Sequence, residues 1–501
     1  MADYDVIVIG SGIGGLTSAS LLSKRGLKVL IVEQNSTAGG LCNSILKKGY
    51  AFDIAASLFW GFGHGEVFHW LFSEFNILND LLERESVIRK IEPALQVILP
   101  NHRINIYSER NRFYEELKRE FPSDMANLIK LYQESDRIED EIYYLLNKNH
   151  FYSLKNHYPH KNTRLKKLYT AISIFLKRKK DILQIAGRWV NPSEIKHFID
   201  LQLTYFIHKK TSDASLPLLS IILGIPKRGI YGIKGGARVL TGILEKQLIK
   251  HGGKITYNST AEEIILKGNK ACGVKVRQGN SVSELKADWI ISDTAFSNIG
   301  SNLIKKKKKK NQFLKINKKI GNGLMPFSVL LGVDEKVIPE LMGEHAIMLR
   351  DYELPFSDSN ILFISVSPGW DETRAPHGKR CITATYFLSP DEAGKINWEI
   401  ERENKTKEMI DHLEQLIPFI SEFIDCAYSI TPDDYQRSTM RRQGMLRGFS
   451  NLSGPYGFNS LSFKTPVRKL LKVGDEVFPG LGVAHTAKSG IRAAEEILKR
   501  I

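Results

Sequence analysis

Val6-Ile7-Val8-Ile9-Gly10-Ser11-Gly12-Ile13-Gly14-Gly15, followed by Lys28-Val29-Leu30-Ile31-Val32-Glu33, is the stretch that decides the fold. The β-branched run Val6 to Ile9 predicts a parallel strand buried on both faces. Leu16, Ala19 and Leu22 then predict a helix that closes at Gly26, and Lys28 to Val32 predicts a second strand. Between strand and helix, glycines stand at three spaced positions. Gly10 permits a tight turn, Gly12 lets the backbone approach a pair of phosphates, and Gly15 allows close helix–strand packing, with Gly14 in the same phosphate turn. The phosphates would sit where the helix begins near Ile13, because unpaired N–H groups and the helix dipole favour negative charge there. Glu33 ends the second strand, where a carboxylate can accept both ribose hydroxyl hydrogens and disfavours a 2′-phosphate.

NAD and FAD share these features, and the rest of the chain separates them. Gly39-Gly40 follows soon after Glu33, then Gly49-Tyr50-Ala51-Phe52-Asp53. Far away, Leu470 to Val473 predicts a short strand ending in the acidic turn Gly474-Asp475. Pro479-Gly480-Leu481-Gly482-Val483 then leads into a helix over Ser489 to Leu498. This forms a second phosphate- and ribityl-binding edge, which the long ribityl chain of FAD needs and NAD does not.

Gly39-Gly40-Leu41-Cys42 and Gly49 to Asp53, with Val473-Gly474-Asp475 and Phe478-Pro479-Gly480-Leu481-Gly482-Val483, resemble the phytoene desaturase, carotenoid isomerase and retinol saturase family. Thr431-Pro432-Asp433-Asp434-Tyr435 through Gly444 and Gly448, and Tyr231-Gly232-Ile233-Lys234-Gly235-Gly236, resemble it too. The resemblance puts Gly10, Gly12, Gly15 and Glu33 on the ADP part of FAD, and Gly40 and Leu41 near the pyrophosphate. It implies that Ala261 offers its backbone to adenine, that Asp475 holds the ribityl–pyrophosphate region beside Gly474, and that Gly482 and Val483 flank the flavin. Many desaturases of this family carry a basic residue where Leu41 stands, so one phosphate clamp is missing. That departure fits the isomerase and saturase branch better.

The expected architecture is α/β: a Rossmann-type, glutathione-reductase-like FAD-binding domain with an inserted α+β substrate domain. Residues 1–65, 229–300 and 431–501 would form the discontinuous FAD-binding domain. Residues 66–228 would be a mainly helical insertion and possible membrane-contacting lobe, and residues 301–430 a substrate-binding sheet and helix.

A chain of 501 residues with 42% apolar residues can bury a large core over two or three lobes. Its four cysteines (Cys42, Cys272, Cys381, Cys426) are scattered, which predicts neither a metal site nor a disulfide framework and fits a reducing cytoplasm. The start of the chain has no basic segment leading into an apolar one, so no secretory signal is expected. A net charge of +16 at pH 7 is concentrated in residues 155–180 and in Lys305 to Lys310. No nucleic-acid-binding motif accompanies this charge, so no nucleic-acid partner is expected. Leu168 to Leu176, flanked by basic residues, reads either as a helix lying on an anionic membrane or as a buried helix with a charged end. The membrane reading makes the protein cytoplasmic and peripherally membrane-associated.

A flavin carries out electron transfer itself, so no nucleophilic triad is expected, and none is evident. His485, after Gly482-Val483, could approach the flavin or donate a proton; equally it could cap or pack the following helix. His64, in Gly61-Phe62-Gly63-His64-Gly65, could face substrate or be a loop histidine. The leading expectation is an FAD-dependent oxidoreductase or isomerase acting by hydride transfer on C–C bonds of a lipophilic polyene, a carotenoid or retinoid-like lipid. Its electron donor or acceptor is not readable from the sequence. The alternatives are a flavin amine or amino-acid oxidase, against which Gly474-Asp475 in place of Gly-Glu argues mildly, and a non-catalytic lipid-binding escort protein on the same fold.

Overall fold

The computed structural model describes residues 2–55, 58–84, 87–147, 193–320, 323–356, 360–446, 461–477, 480 and 482–501. The basic amphipathic stretch of residues 155–189 lies outside the described residues, as do Gly448, Phe478, Pro479 and Leu481.

The chain opens with β1 (Tyr4–Ile9), α1 (Ile13–Lys24), β2 (Val29–Val32) and a ribbon of β3 (Ser44–Lys47) and β4 (Tyr50–Asp53). After a helix at Val67–Glu74 come β5 (Ile88–Ile91), β6 (Leu95–Leu99) and β7 (His102–Ile106). Helices at Arg110–Glu120, Met125–Asn147, Ser193–Ile207 and Leu216–Arg228 lead to β8 (Ile230–Ile233) and the helix Ala237–Lys250. Next are β9 (Lys254–Thr256), β10 (Ser259–Lys267), β11 (Lys270–Gln278) and β12 (Ser281–Ser292). A helix at Lys307–Ile320 precedes β13 (Met325–Asp334), β14 (His345–Leu349), β15 (Ile361–Val366) and β16 (Lys379–Leu388). The helix Trp398–Glu414, β17 (Ile424–Ile430), a short helix at Pro432–Thr439, β18 (Leu470–Lys472) and the helix Gly482–Leu498 complete the described chain.

Val6, Ile7 and Val8 are wholly buried, and β1 pairs in parallel with β2 on one side and with the end of β12 on the other. β9 extends the sheet beyond β2, and β18 pairs in parallel with β12, so strands from both ends of the chain share one sheet. The strand order reverses at β1, and the crevice beyond the carboxyl ends of β1 and β12 is where such sheets bind ligands. α1 lies against β1 so closely that a Cβ on Gly15 would stand 2.3 Å from the Gly10 carbonyl oxygen. The Gly482–Leu498 helix covers α1, with a Gly490 Cβ position 2.4 Å from the Gly14 carbonyl oxygen.

A second sheet runs β17-β13-β16-β15-β14-β6-β7, antiparallel throughout except where β14 meets β6. Trp398, Met409 and Leu413 of the Trp398–Glu414 helix pack on one of its faces. The other face carries Phe363, Ser365, Thr383, Thr385 and Phe387, partly exposed at alternate positions as the two-residue period of a strand requires. It looks into the space between the sheets.

Two expectations change. The 66–228 insertion is not only helical: it supplies β5 and the β6–β7 hairpin, and β6 joins the sheet formed by residues 325–430. Leu95 to Leu99 is a five-residue, fully buried run, too short for a helix and suited to a buried strand. The C-terminal helix begins at Gly482 rather than Ser489, since Ala484, Ala487 and Ala493 favour helix and bury against the core. Lys307 to Lys310 form the first turn of a helix, with Lys305 to Lys308 exposed.

The glycine contacts yield a paired test. Gly490→Ala, forced against the Gly14 carbonyl, is expected to destabilise the protein by about 2 kcal/mol or more. Gly242→Ala, inside the Ala237–Lys250 helix with nothing within 4 Å of its Cβ position, is expected to stabilise it by about 0.5–1 kcal/mol. Denaturant unfolding of the two variants measures both changes.

Candidate functional site

A cavity of about 800 Å³ opens at the crevice between β1 and β12 and runs to the inner face of the second sheet. Its first end is built by backbone. Gly10 adopts φ +92°, and a Cβ on Gly12 would fall 2.5 Å from Asp293 Oδ2. Gly39 N–H donates to the Ser11 carbonyl at 2.9 Å, laying the Gly39-Gly40 loop along the glycine turn, and a Gly40 Cβ would meet Gly12 Cα at 3.7 Å. Two helices, α1 and Gly482–Leu498, begin at this cavity, and neither has an acidic residue in its first turn. Their unpaired N–H groups make the region a receptor for phosphate charge.

Glu33 lies at the end of β2 and lines the cavity. Ser11 N–H and Oγ donate to one of its carboxylate oxygens at 2.8 and 2.6 Å, and Asn35 N–H donates to the other at 2.8 Å. A carboxylate has about four lone-pair directions, so with three in use capacity remains for a ribose hydroxyl. Ala261 lies at a register shift between β10 and β11, which frees local backbone groups from the ladder, as an adenine edge would need.

The C-terminal edge meets this turn from the other side. Gly474 adopts φ +114°, and its N–H donates to Ser489 Oγ at 2.9 Å. Asp475 receives two hydrogen bonds from Arg441, at 2.9 and 2.7 Å. A Gly482 Cβ would stand 2.0 Å from the Trp60 ring, so only glycine lets that ring cover the helix start. Val483 lines the cavity beside it.

The cavity residues expected from the sequence therefore converge. Gly10, Gly12, Glu33, Gly40, Leu41, Ala261, Gly474, Asp475, Gly482 and Val483 all line one space. Gly14 and Gly15 do not, since both serve packing: a Gly14 Cβ would stand 3.0 Å from Gly474 N. The two histidines are corrections. His64 is exposed on its loop, its ring 4.9 Å from that of His69, and does not line the cavity. His485 is also absent from the lining. Because the helix starts at Gly482, residues 482, 483 and 486 share the cavity face, which turns His485 toward Lys488 and Arg228. Burial, then those two cations, hold its imidazole well below the usual histidine range, so it is an uncharged ring and a poor proton donor.

Three further residues take part. Asp293, directly after β12, accepts from Gly15 N–H at 2.9 Å, and burial pushes its carboxyl up to about 6 against the lowering pull of Lys472. Its position, an acid ending a buried parallel strand as Glu33 does, was a usable sequence cue. Arg441 places a guanidinium at the cavity although Leu41 does not, and the Leu41 departure itself was the cue. His208 stands at the far end with its ring against Phe363 and Phe387, at a positive φ of 48° that no local pattern announces.

This far end is walled by Trp60, Tyr205, Phe206, Phe363 and Phe387, and burial pushes the His208 imidazole down to about 4. It is thus uncharged at neutral pH. A phosphate- and ribose-binding cradle continuous with an apolar chamber suits a dinucleotide whose ring system projects toward a lipophilic substrate, and FAD fits that cradle. Glu33 would hold the adenosine ribose, the glycine turn the diphosphate, Asp475 with Arg441 the ribityl–diphosphate region, and Gly482-Val483 the flavin.

Comparison with known proteins agrees with this site. The model of the flavin containing amine oxidoreductase family matches residues 13–498, and the chain belongs to that family. It is 27% identical to the chloroplastic prolycopene isomerase of Daucus carota, covering 99% of this chain and 80% of the relative. It is 23% identical to a 4,4'-diapophytoene desaturase (4,4'-diapolycopene-forming) of Methylomonas sp, covering 86% of this chain and 82% of that one. An oxidoreductase structure from Methanosarcina mazei superposes with a TM-score of 0.63 at 17% identity, over 98% of this chain and 99% of that one, and shares the fold. The chain is an FAD-dependent oxidoreductase, and the resemblance drawn from its motifs holds.

Two predictions follow from the charges at the cradle. Arg441→Gln is expected to weaken flavin retention about ten-fold or more, the worth of a charge-assisted contact, as measured by flavin released on dilution. Asp293 titrates near 6, and a diphosphate beside it favours its protonated form still further. Binding then takes up a proton, so flavin affinity falls as pH rises above about 6. Asp293→Asn is expected to flatten this dependence in a flavin-titration series.

Proposed function

We propose that the protein acts on C–C bonds along the chain of a lipophilic polyene, a carotenoid or retinoid-like lipid, as an oxidoreductase or isomerase. The observation that carries this reading is the uncharged aromatic chamber joined directly to the cofactor cradle. The rings named as its wall, Trp60, Tyr205, Phe206, Phe363 and Phe387, carry no carboxylate, and the His208 imidazole against Phe363 and Phe387 is neutral. A cationic amine would lose its hydration there without gaining a counter-charge, which costs far more than burying a hydrocarbon. The similarity to a prolycopene isomerase and a diapophytoene desaturase supports the same substrate class.

Bound FAD supplies reversible two-electron, hydride-level chemistry. The chain's own residues shape the reaction space. Trp60 covers the start of the Gly482–Leu498 helix, and Phe206 packs edge-on against Trp60 at 6.2 Å. Phe363 and Phe387, 4.9 Å apart and edge-to-face, close the opposite wall. Together these rings exclude water and align an extended apolar chain, which favours transfer over hydrolytic or solvent side reactions.

A polyene dissolves in bilayers rather than in water. We therefore propose that the protein is cytoplasmic and docks peripherally on an anionic membrane face. Its net charge of +16 and the exposed Lys305 to Lys308 support this.

The test is flavin-loaded protein mixed anaerobically with liposomes carrying candidate polyenes, with the flavin oxidised in one sample and reduced in the other. A shift of polyene absorption to longer wavelength, to shorter wavelength, or to a new isomer at unchanged oxidation level is expected, and names the reaction direction. Bleaching of oxidised flavin by a soluble amine, with every polyene inert, would replace this reading with amine oxidation. Sedimentation with anionic but not neutral vesicles, lost at high salt, is the expected outcome for docking.

A further inference from the structure

The inner face of the second sheet is not the plain hydrocarbon wall that an all-carbon polyene would need. Ser328, Ser365, Thr383 and Thr385 line the cavity among its aromatic rings, and the buried Tyr435 lines it with them. Register explains the cluster: Ser328 faces Thr385 across β13 and β16, Phe363 faces Thr385, and Ser365 faces Thr383 across β15 and β16.

Three of the hydroxyls form a chain whose direction is determined. Tyr435 OH donates to the Ile54 carbonyl at 2.8 Å, and a carbonyl has no hydrogen to return. Burial pushes the Tyr435 phenol up to about 12, so it keeps its single proton, and that proton is spent on Ile54. The 3.0 Å contact between Ser328 Oγ and Tyr435 OH is therefore donated by Ser328, and the 2.7 Å contact between Thr385 Oγ1 and Ser328 Oγ by Thr385. All three protons are thus used within the chain. All three residues line the cavity, but Ser328 and Tyr435 are buried, and Thr385 is the partly exposed member. It presents oxygen lone pairs there, and donation down the chain makes that oxygen a better acceptor.

Resting on the polyene reading above, we infer that this site selects a polyene bearing a hydroxyl group, whose O–H donates to Thr385 Oγ1. A hydrocarbon covering Thr385 would strip water from the acceptor and return nothing. A carbonyl would set lone pair against lone pair. A site built to pair one substrate hydroxyl discriminates against analogues lacking it.

The experiment uses flavin-loaded protein and three polyenes of one chain length in anionic liposomes: a hydrocarbon, the primary alcohol and the aldehyde. Affinity is read from perturbation of the flavin absorption, and turnover from chromatography. The alcohol is expected to bind about ten-fold tighter than either of the others, the scale of one buried hydrogen bond. Thr385→Val should erase that preference, by weakening alcohol binding and relieving the desolvation cost on the hydrocarbon, with flavin content unchanged. Tyr435→Phe releases the Ser328 proton, so the chain can reverse and Thr385 can donate; aldehyde binding should rise relative to alcohol, an effect that loss of packing alone would not produce.

Equal affinity for alcohol and hydrocarbon overturns the inference and leaves the polyene reading standing. So does a Thr385→Val protein that loses only thermal stability, which assigns the hydroxyls to sheet cohesion. Loss of flavin from that variant assigns them to the cofactor and also overturns it. Failure of all three polyenes to bind or react overturns the polyene reading itself.

Discussion

One buried carboxylate ties together the β3–β4 ribbon, the start of the Ala237–Lys250 helix and the segment between β15 and β16. Asp53, at the end of β4, accepts from Ala237 N–H at 2.9 Å and Ser44 Oγ at 2.7 Å, and pairs with Arg374 at 3.2 Å. Arg374 in turn donates to the Ala51 carbonyl at 2.7 Å, and neighbouring Asp371 accepts from Gly235 N–H at 2.7 Å. Segments near residues 44, 237 and 374 thus meet at a side chain almost wholly removed from water. A buried ion pair adds little net stability when intact, but breaking it strands a charge, at about 3–5 kcal/mol. The junction therefore penalises any other placement of the lobes. Asp53 and the adjoining Ile54 also line the cavity, so the contact that joins the lobes helps to shape the space between them.

That space has two electrostatic characters because two kinds of structure wall it. At the nucleotide end, the walls are strand ends, glycine turns and helix starts, which offer N–H groups and a few well-held charges. Asp475 and Arg441 lie close enough to act on the protonation of Asp293, the first raising its carboxyl and the second lowering it. At the other end the wall is a sheet face and the Ser193–Ile207 helix with the residue just beyond it. Alternate side chains there are aromatic or hydroxylic, and a single imidazole is kept neutral by burial. Charge is spent where the cofactor's phosphates would need it and withheld where a lipophilic chain would lie. The hydroxyl chain from Thr385 to Ile54 is a polar exception that carries no charge.

Legibility in the sequence followed the range of the interactions concerned. The glycine turn, Glu33 and the strand-to-Asp475 edge were readable because each depends on residues a few positions apart. A positive φ, a strand end and a helix start are local demands, and the residue types answer them locally. Asp293 was half readable: the buried strand before it was evident, and its acidic end was the same cue that identified Glu33. The β6–β7 hairpin was missed because helical segments on both sides masked a five-residue buried run, interrupted by Gln96, whose partner lies some 250 residues onward, at β14. His485 misled for a simpler reason. A shift of a few residues in the helix start rotates a side chain from one face to another, and residue spacing alone does not determine that start.

The sequence by itself determined that the chain carries a Rossmann-type nucleotide fold and takes FAD, and that its two ends return to one sheet, because those properties rest on local backbone geometry repeated in recognisable order. Only the tertiary structure decided which side chains face the chamber. Arg441 answers for Leu41, His208 stands among the rings in place of His485 or His64, and the protons of Thr385, Ser328 and Tyr435 run toward Ile54. These groups come from positions scattered along the chain, and each acquires its role from neighbours that only the packing of two sheets brings within hydrogen-bond or ring-contact distance.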